Sequence, residues 1–175
     1  MRKWPVLLLF IFSCGGDPEV PGETPQNPLK VEAAAFNNTE KRLEKTFLEV
    51  SGAPLTGFYS YTRRANRAPT ESNAEKYYFP IVPINFNKKK DQLAIFAYCA
   101  PEKFRLLTNN LKKRWLNTNA SKKHKIRGKR TLFYHEVPDA VIELFSNAQP
   151  KGYGFKISRQ VTTIELIGIE GYPDI

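Results

Sequence analysis

The chain has 175 residues, 41% of them hydrophobic, a net charge of +10 and two cysteines. That length suits one domain with a respectable single core. So few cysteines exclude a disulfide scaffold, and two histidines with one cysteine in the folded part are too few for a nitrogen and sulfur metal site.

At the amino end, Arg2 and Lys3 precede the apolar run Trp4 to Phe12, and Ser13 is a small residue just before Cys14. The run is shorter than the roughly 20 residues that cross a bilayer, so residues 1–13 are expected to be a removable export signal. Ile11-Phe12-Ser13-Cys14 resembles the lipobox of bacterial lipoprotein signals. The resemblance implies that Cys14 becomes the acylated first residue of the mature chain, carrying diacylglyceryl and palmitate-type groups, with the protein held in the cell envelope. By the same analogy, Gly15 rather than Asp after the cysteine favours the outer membrane, on its periplasmic or surface face. Residues 14–30, with Pro18, Pro21, Pro25 and Pro28, read as an extended disordered tether, and residues 31–175 as a single globular domain.

Within that domain Val31 to Lys45 reads as a helix, although Thr46 to Val50 also fits a strand. Ser51-Gly52-Ala53-Pro54 has turn chemistry, and Gly57 to Thr62 alternates as a half-buried strand. Arg63 to Ala74 reads as a loop. Pro80 and Pro83 demote Lys76 to Asn85 to an edge or interrupted strand. Lys88-Lys89-Lys90-Asp91 is a turn into the buried strand Leu93 to Cys99, where Cys99 is expected as a small buried hydrophobe. Pro101 opens a helix with Phe104, Leu107, Leu111 and Trp115 on one face. Asn117 to Gly128 reads as a basic loop and Arg130 to Val137 as a strand. Pro138-Asp139 starts a second helix with Val141, Leu144 and Phe145 inward. Tyr153 to Arg159 and Thr162 to Ile169 read as two closing strands. The expectation is an α+β domain with a mostly antiparallel sheet and two or three helices. The alternative is a small, partly open barrel of the oligomer-binding type.

Charge is concentrated in one stretch. Lys103 to Arg130 holds 11 of the 27 basic residues and none of the 17 acidic ones, and no Asp or Glu lies between Glu102 and Glu136. Such a segment attracts polyanions, although runs of this kind are usually solvated faces. The anion-binding candidates are Lys112, Lys113, Arg114, Lys122, Lys123, Lys125, Arg127, Lys129 and Arg130. The expected partners are the membrane, through Cys14, and an anionic lipid, polysaccharide or protein. Nucleic acid is disfavoured: exported chains seldom meet it, and no RNA-binding signature is present. The aromatic set Phe58, Tyr59, Tyr61, Tyr77, Tyr78, Phe79, Tyr134 and Tyr153 reads mostly as core.

No G-x-S-x-G elbow, H-E-x-x-H helix, P-loop or dinucleotide fingerprint occurs, so no catalytic residue, cofactor or metal is assigned. The reading is an envelope-anchored, non-catalytic binding module. Two alternatives stay open: a hydrolase of envelope polymers using His135 with a nearby carboxylate, and a protein-binding immunity or interaction lipoprotein.

Overall fold

The computed structural model describes residues 20–36, 45–63, 73–112, 123–130, 137–148, 152–173 and 175. The expected signal and Cys14 lie outside the described residues. Seven strands are described: β1 (Leu29–Glu32), β2 (Phe47–Pro54), β3 (Ser60–Arg63), β4 (Ala74–Val82), β5 (Gln92–Cys99), β6 (His124–Arg130) and β7 (Lys156–Ile169). Two α-helices accompany them, α1 (Pro101–Leu111) and α2 (Asp139–Ser146).

The sheet runs β1-β2-β6-β7-β5-β4-β3, and a further pairing of β2 with β4 closes five of these strands into a barrel. Four of the five seams are antiparallel, and the β5–β7 seam is parallel. Stepping across the registers from Phe47 to Lys129, Glu165, Tyr98 and Tyr78 returns to the line of β2 about ten residues further along. Such a stagger means strongly tilted strands. The two helices and the mostly antiparallel pairing agree with the α+β expectation. The sheet, however, is a closed mixed barrel, and the oligomer-binding-type alternative fits it, closed rather than partly open. Closure leaves no unpaired edge within the five strands.

Two residues explain how the first barrel strand bends far enough. Around Gly52, the side of β2 away from β6 passes from β1 to β4. A Cβ there would come within 2.9 Å of Ala33 Cβ, Ile81 Cγ2 and Val82 O. The stretch Ser51–Pro54, turn-like in sequence, is therefore strand at its point of closest approach. Pro80 acts next. Leu55 N–H donates to Pro80 O at 2.9 Å, and proline has no N–H to return the bond. Leu55 O instead accepts from Phe58 N–H at 3.0 Å, which turns the chain. β3 then resumes along the same side of β4. β4 pairs on both sides, so Pro80 does not make it an edge strand; it interrupts the ladder on the β2–β3 side, the other form the expectation allowed.

Other elements also depart from the sequence reading. Val31 and Glu32, expected in a helix, belong to β1, which pairs in parallel with β2 and gives way to a 3-10 turn at Ala33–Phe36. Residues 20–30, assigned to the tether, pack on the fold: Gly22 O accepts from Thr46 N–H at 3.0 Å and from Phe47 N–H at 2.9 Å. Residues 124–128, expected in a loop, begin β6. His124, Ile126, Gly128 and Arg130 point inward and are buried, while Lys125, Arg127 and Lys129 point out. The expected strand from Arg130 starts where β6 ends, and residues 131–136 lie outside the described residues. The two closing strands are one, β7, and where a tight connection was expected its register against β5 shifts, from Leu93 opposite Ile157 to Ile95 opposite Thr162.

Two apolar clusters hold these elements. Inside the barrel, Leu48, Val50, Phe79, Ile95, Ile126 and Ile164 pack together, with Phe104, Leu107 and Leu111 of α1 over the mouth where β5 ends. Phe104 stacks on Tyr77 at 4.5 Å. Outside it, Val137, Val141 and Phe145 cover Tyr78, Leu93 and Phe96, with Phe58 and Phe155 beside them.

Candidate anion-contact surface

The outward side chains of β6 form a row. Lys123 precedes the strand, and Lys125, Arg127 and Lys129 follow at alternate positions, about 7 Å apart along an extended chain. Sheet pairing brings carboxylates to them from outside the acid-free segment. Lys123 Nζ lies 2.6 Å from Glu32, Lys125 Nζ 2.9 Å from Glu170, and Arg127 Nε 2.8 Å from Glu49. The hydrogen bond to Glu170 raises the pKa of Lys125, so its charge is secure. Glu49 is nearly buried, with its side chain 4% exposed against 51% for Arg127. Lys123 and Lys125, by contrast, are in pairs exposed on both sides. Lys129 stands opposite Phe47 and Glu165 in the two registers.

The remaining candidates do not join this row. Arg130 faces the barrel interior and is 4% exposed, so it offers nothing to a partner on the outer face. Lys112 ends α1 with φ at +56°, and its carbonyl accepts from Thr56 Oγ1 at 3.2 Å. Lys113, Arg114 and Lys122 lie outside the described residues, as do Tyr134, His135 and Trp115.

A second basic cluster lies at the turn that the sequence marks after β4. Lys88, Lys89 and Lys90 form the β4–β5 turn, and Lys156 Nζ donates to Lys89 O at 2.8 Å. Lys88 Nζ donates to Tyr153 O and sits 4.9 Å from the Phe155 ring centroid. The acid of this turn, Asp91, accepts from Asn87 N–H at 2.6 Å. Three successive lysines were the available signal; only the topology adds Lys156.

A cleft of about 500 Å³ opens near the α1 mouth, lined by Lys103, Arg127, Ile167, Tyr172 and Ile175 among others. The register shift between Arg127 and Gly128 accompanies an Ile167 that is 43% exposed. Lys103 Nζ donates to Ile167 O at 2.9 Å.

The outer face of β4 and β5, where oligomer-binding barrels receive their ligands, is largely occupied here by α2 and Phe155. Tyr153 O–H donates to Tyr59 O at 2.8 Å, and burial raises its pKa and that of Tyr78. Tyr98 remains half-buried, with Lys76 Nζ 4.8 Å from its ring centroid. Cys99 is buried at the end of β5; burial pushes its thiol up to about 12, against a smaller opposing pull from Lys103. It is no thiolate nucleophile at neutral pH.

Among the described residues, no group of three or more His, Cys, Asp or Glu is placed to hold a metal ion. Nor is any described helix long and apolar enough to cross a membrane. No protein-family model matches the chain, and neither a curated protein nor a solved structure does.

Proposed function

We propose that the protein is a non-catalytic binding module of the cell envelope, anchored by acyl chains on Cys14, whose β6 face contacts an anionic envelope partner. The observation that carries this reading is the one-sided row of Lys125, Arg127 and Lys129 on a strand of a closed barrel, with Lys123 just before it. A strand has already lost the backbone freedom that a loop with the same charges would give up on binding. The neighbouring carboxylates do not cancel the row, since exposed pairs are weak and exchange partners readily. A polyanion engages several cations at once, which single glutamates do not.

The ion pairs to Glu32, Glu49 and Glu170 favour a second reading, in which the row sets the register of β6. That strand has one aliphatic side chain, Ile126, to mark its inward face. Opposite charges on neighbouring strands supply the missing specification.

One experiment separates the two. The mature chain is purified from membranes, and its affinity for dextran sulfate and for uncharged dextran is measured over a range of salt. The triple variant Lys123→Gln, Lys125→Gln and Lys129→Gln is expected to bind dextran sulfate about ten-fold more weakly at low salt, with an unchanged unfolding midpoint. Equal affinity in variant and parent defeats the binding reading, and a lowered midpoint supports the register reading. The anchor is tested by the mass of the amino terminus: a diacylglyceryl group on Cys14 supports it, and an unmodified terminus elsewhere removes it.

A further inference from the structure

The barrel has two unlike mouths. α1 lies over the one where β5 ends. At the other, β1, β2, β5 and β7 begin while β4 and β6 end, as their parallel and antiparallel pairings require. Three separate features meet at this second mouth.

The chain enters the fold there. Gly22 is hydrogen-bonded to the start of β2, and Lys45 Nζ pairs with Glu23 at 3.3 Å in the same turn. Cys14 lies eight residues before Gly22, a span of at most about 28 Å however the residues between are arranged. Second, the Lys88–Lys90 turn and Lys156 sit at this mouth, and the nearby Asp91 carboxylate is engaged with the backbone of Asn87. Third, two of the four exposed large apolar side chains among the described residues are here, Val20 at 45% and Ile84 at 44%. Ile84 is in the turn closed by Phe86 N–H donating to Pro83 O at 3.1 Å.

Lysines beside exposed apolar side chains suit a lipid surface. The ammonium groups meet headgroup phosphates, and the alkyl tips enter the interface. Near an anionic leaflet each lysine favours the bound state by a factor of about five. We infer that this mouth rests on the anionic headgroups of the bilayer holding the anchor, with Lys88–Lys90, Lys156 and Ile84 as the contact. The inference rests on acylation of Cys14. It gives the barrel a direction: the α1 mouth, with Lys123, Lys125 and the cleft, faces away from lipid and toward a partner. Lys88 is already fixed against Tyr153 O and the Phe155 ring, so the contact is preformed on one side.

The test uses the mature protein purified from membranes, placed in detergent, in phosphatidylcholine vesicles and in phosphatidylglycerol vesicles. Lysines are acetylated briefly and located by mass spectrometry, which also reports the amino terminus. Lys89, Lys90 and Lys156 are expected to react at least about five-fold more slowly in phosphatidylglycerol than in detergent, with less protection in phosphatidylcholine. Lys123 and Lys125 are expected to react alike in all three. An acylated terminus with Lys89 and Lys90 unprotected, or with Lys123 and Lys125 protected instead, overturns the orientation and spares the anchor. An unmodified terminus overturns both. In the variant Lys89→Gln, Lys90→Gln, protection of Lys156 should fall toward its detergent level; full protection would place the contact elsewhere.

Discussion

β6 and the β4–β5 turn are both rich in lysine and arginine, yet they hold their charges by different means. In β6 every second residue is buried, and three of the outward cations stand beside Glu32, Glu49 and Glu170. In the turn the three lysines follow one another, and the local acid is turned to the backbone of Asn87. The same residue types therefore sit in two settings. On β6 they face carboxylates brought by other parts of the fold, and on the turn the nearest acid is engaged with the backbone. Local density of basic residues does not distinguish these cases; the partners supplied by the rest of the fold do.

The comparison can be broken first at Gly128. A Cβ there would come within 2.7 Å of Ile164 Cβ and 2.9 Å of Glu165 O. Gly128→Ala should cost about 2–3 kcal/mol in urea unfolding, because backbone as well as side chain must move. A variant of parental stability would mean that β6 is not held tightly against β7. Arg127→Gln comes next. It strips the nearly buried Glu49 carboxylate of its cation and should cost about 1–3 kcal/mol, less than a fully buried pair because Arg127 is half exposed. Restoring most of that loss with Glu49→Gln in the same chain would confirm the coupling. The smallest effect is expected from Lys123→Gln combined with Lys125→Gln, whose pairs are exposed on both sides. Their unfolding midpoint should match the parent; a loss as large as that of Arg127→Gln would make the whole row a device for folding.

What the sequence disclosed follows the same logic. β5 and α1 were legible because Leu93 to Cys99 is a continuous apolar run, and Phe104, Leu107 and Leu111 recur at helical spacing. α2 was legible from Pro138-Asp139 and from Val141 and Phe145, which are buried; Leu144, also expected inward, is only partly buried, and Ile142 packs on the cluster instead. β6 was not, since its inward positions are His124, Ile126, Gly128 and Arg130, and only one of these is aliphatic. Barrel closure was equally hidden. It depends on Gly52 meeting Ala33, Ile81 and Val82, a contact between residues far apart in the chain. The outward cations are visible in the sequence as residue types, but the carboxylates beside Lys123, Lys125 and Arg127 come from segments remote in sequence. The lysine turn was visible as a turn, and its company with Val20, Ile84 and Lys156 at one mouth was not.

The break between β2 and β3 has a consequence for folding. Adjacent residues of one short stretch go to opposite sides of the sheet: Phe58 meets Phe155 at 5.1 Å outside the barrel, and Tyr59 meets Phe104 at 5.2 Å inside it. Tyr153 O–H then ties the outer cluster to the carbonyl of Tyr59 at 2.8 Å. Neither cluster can come apart without disturbing the chain that seats the other. The interior and the α2 side should therefore melt as one cooperative unit, with their slowest amides exchanging at a common free energy of opening.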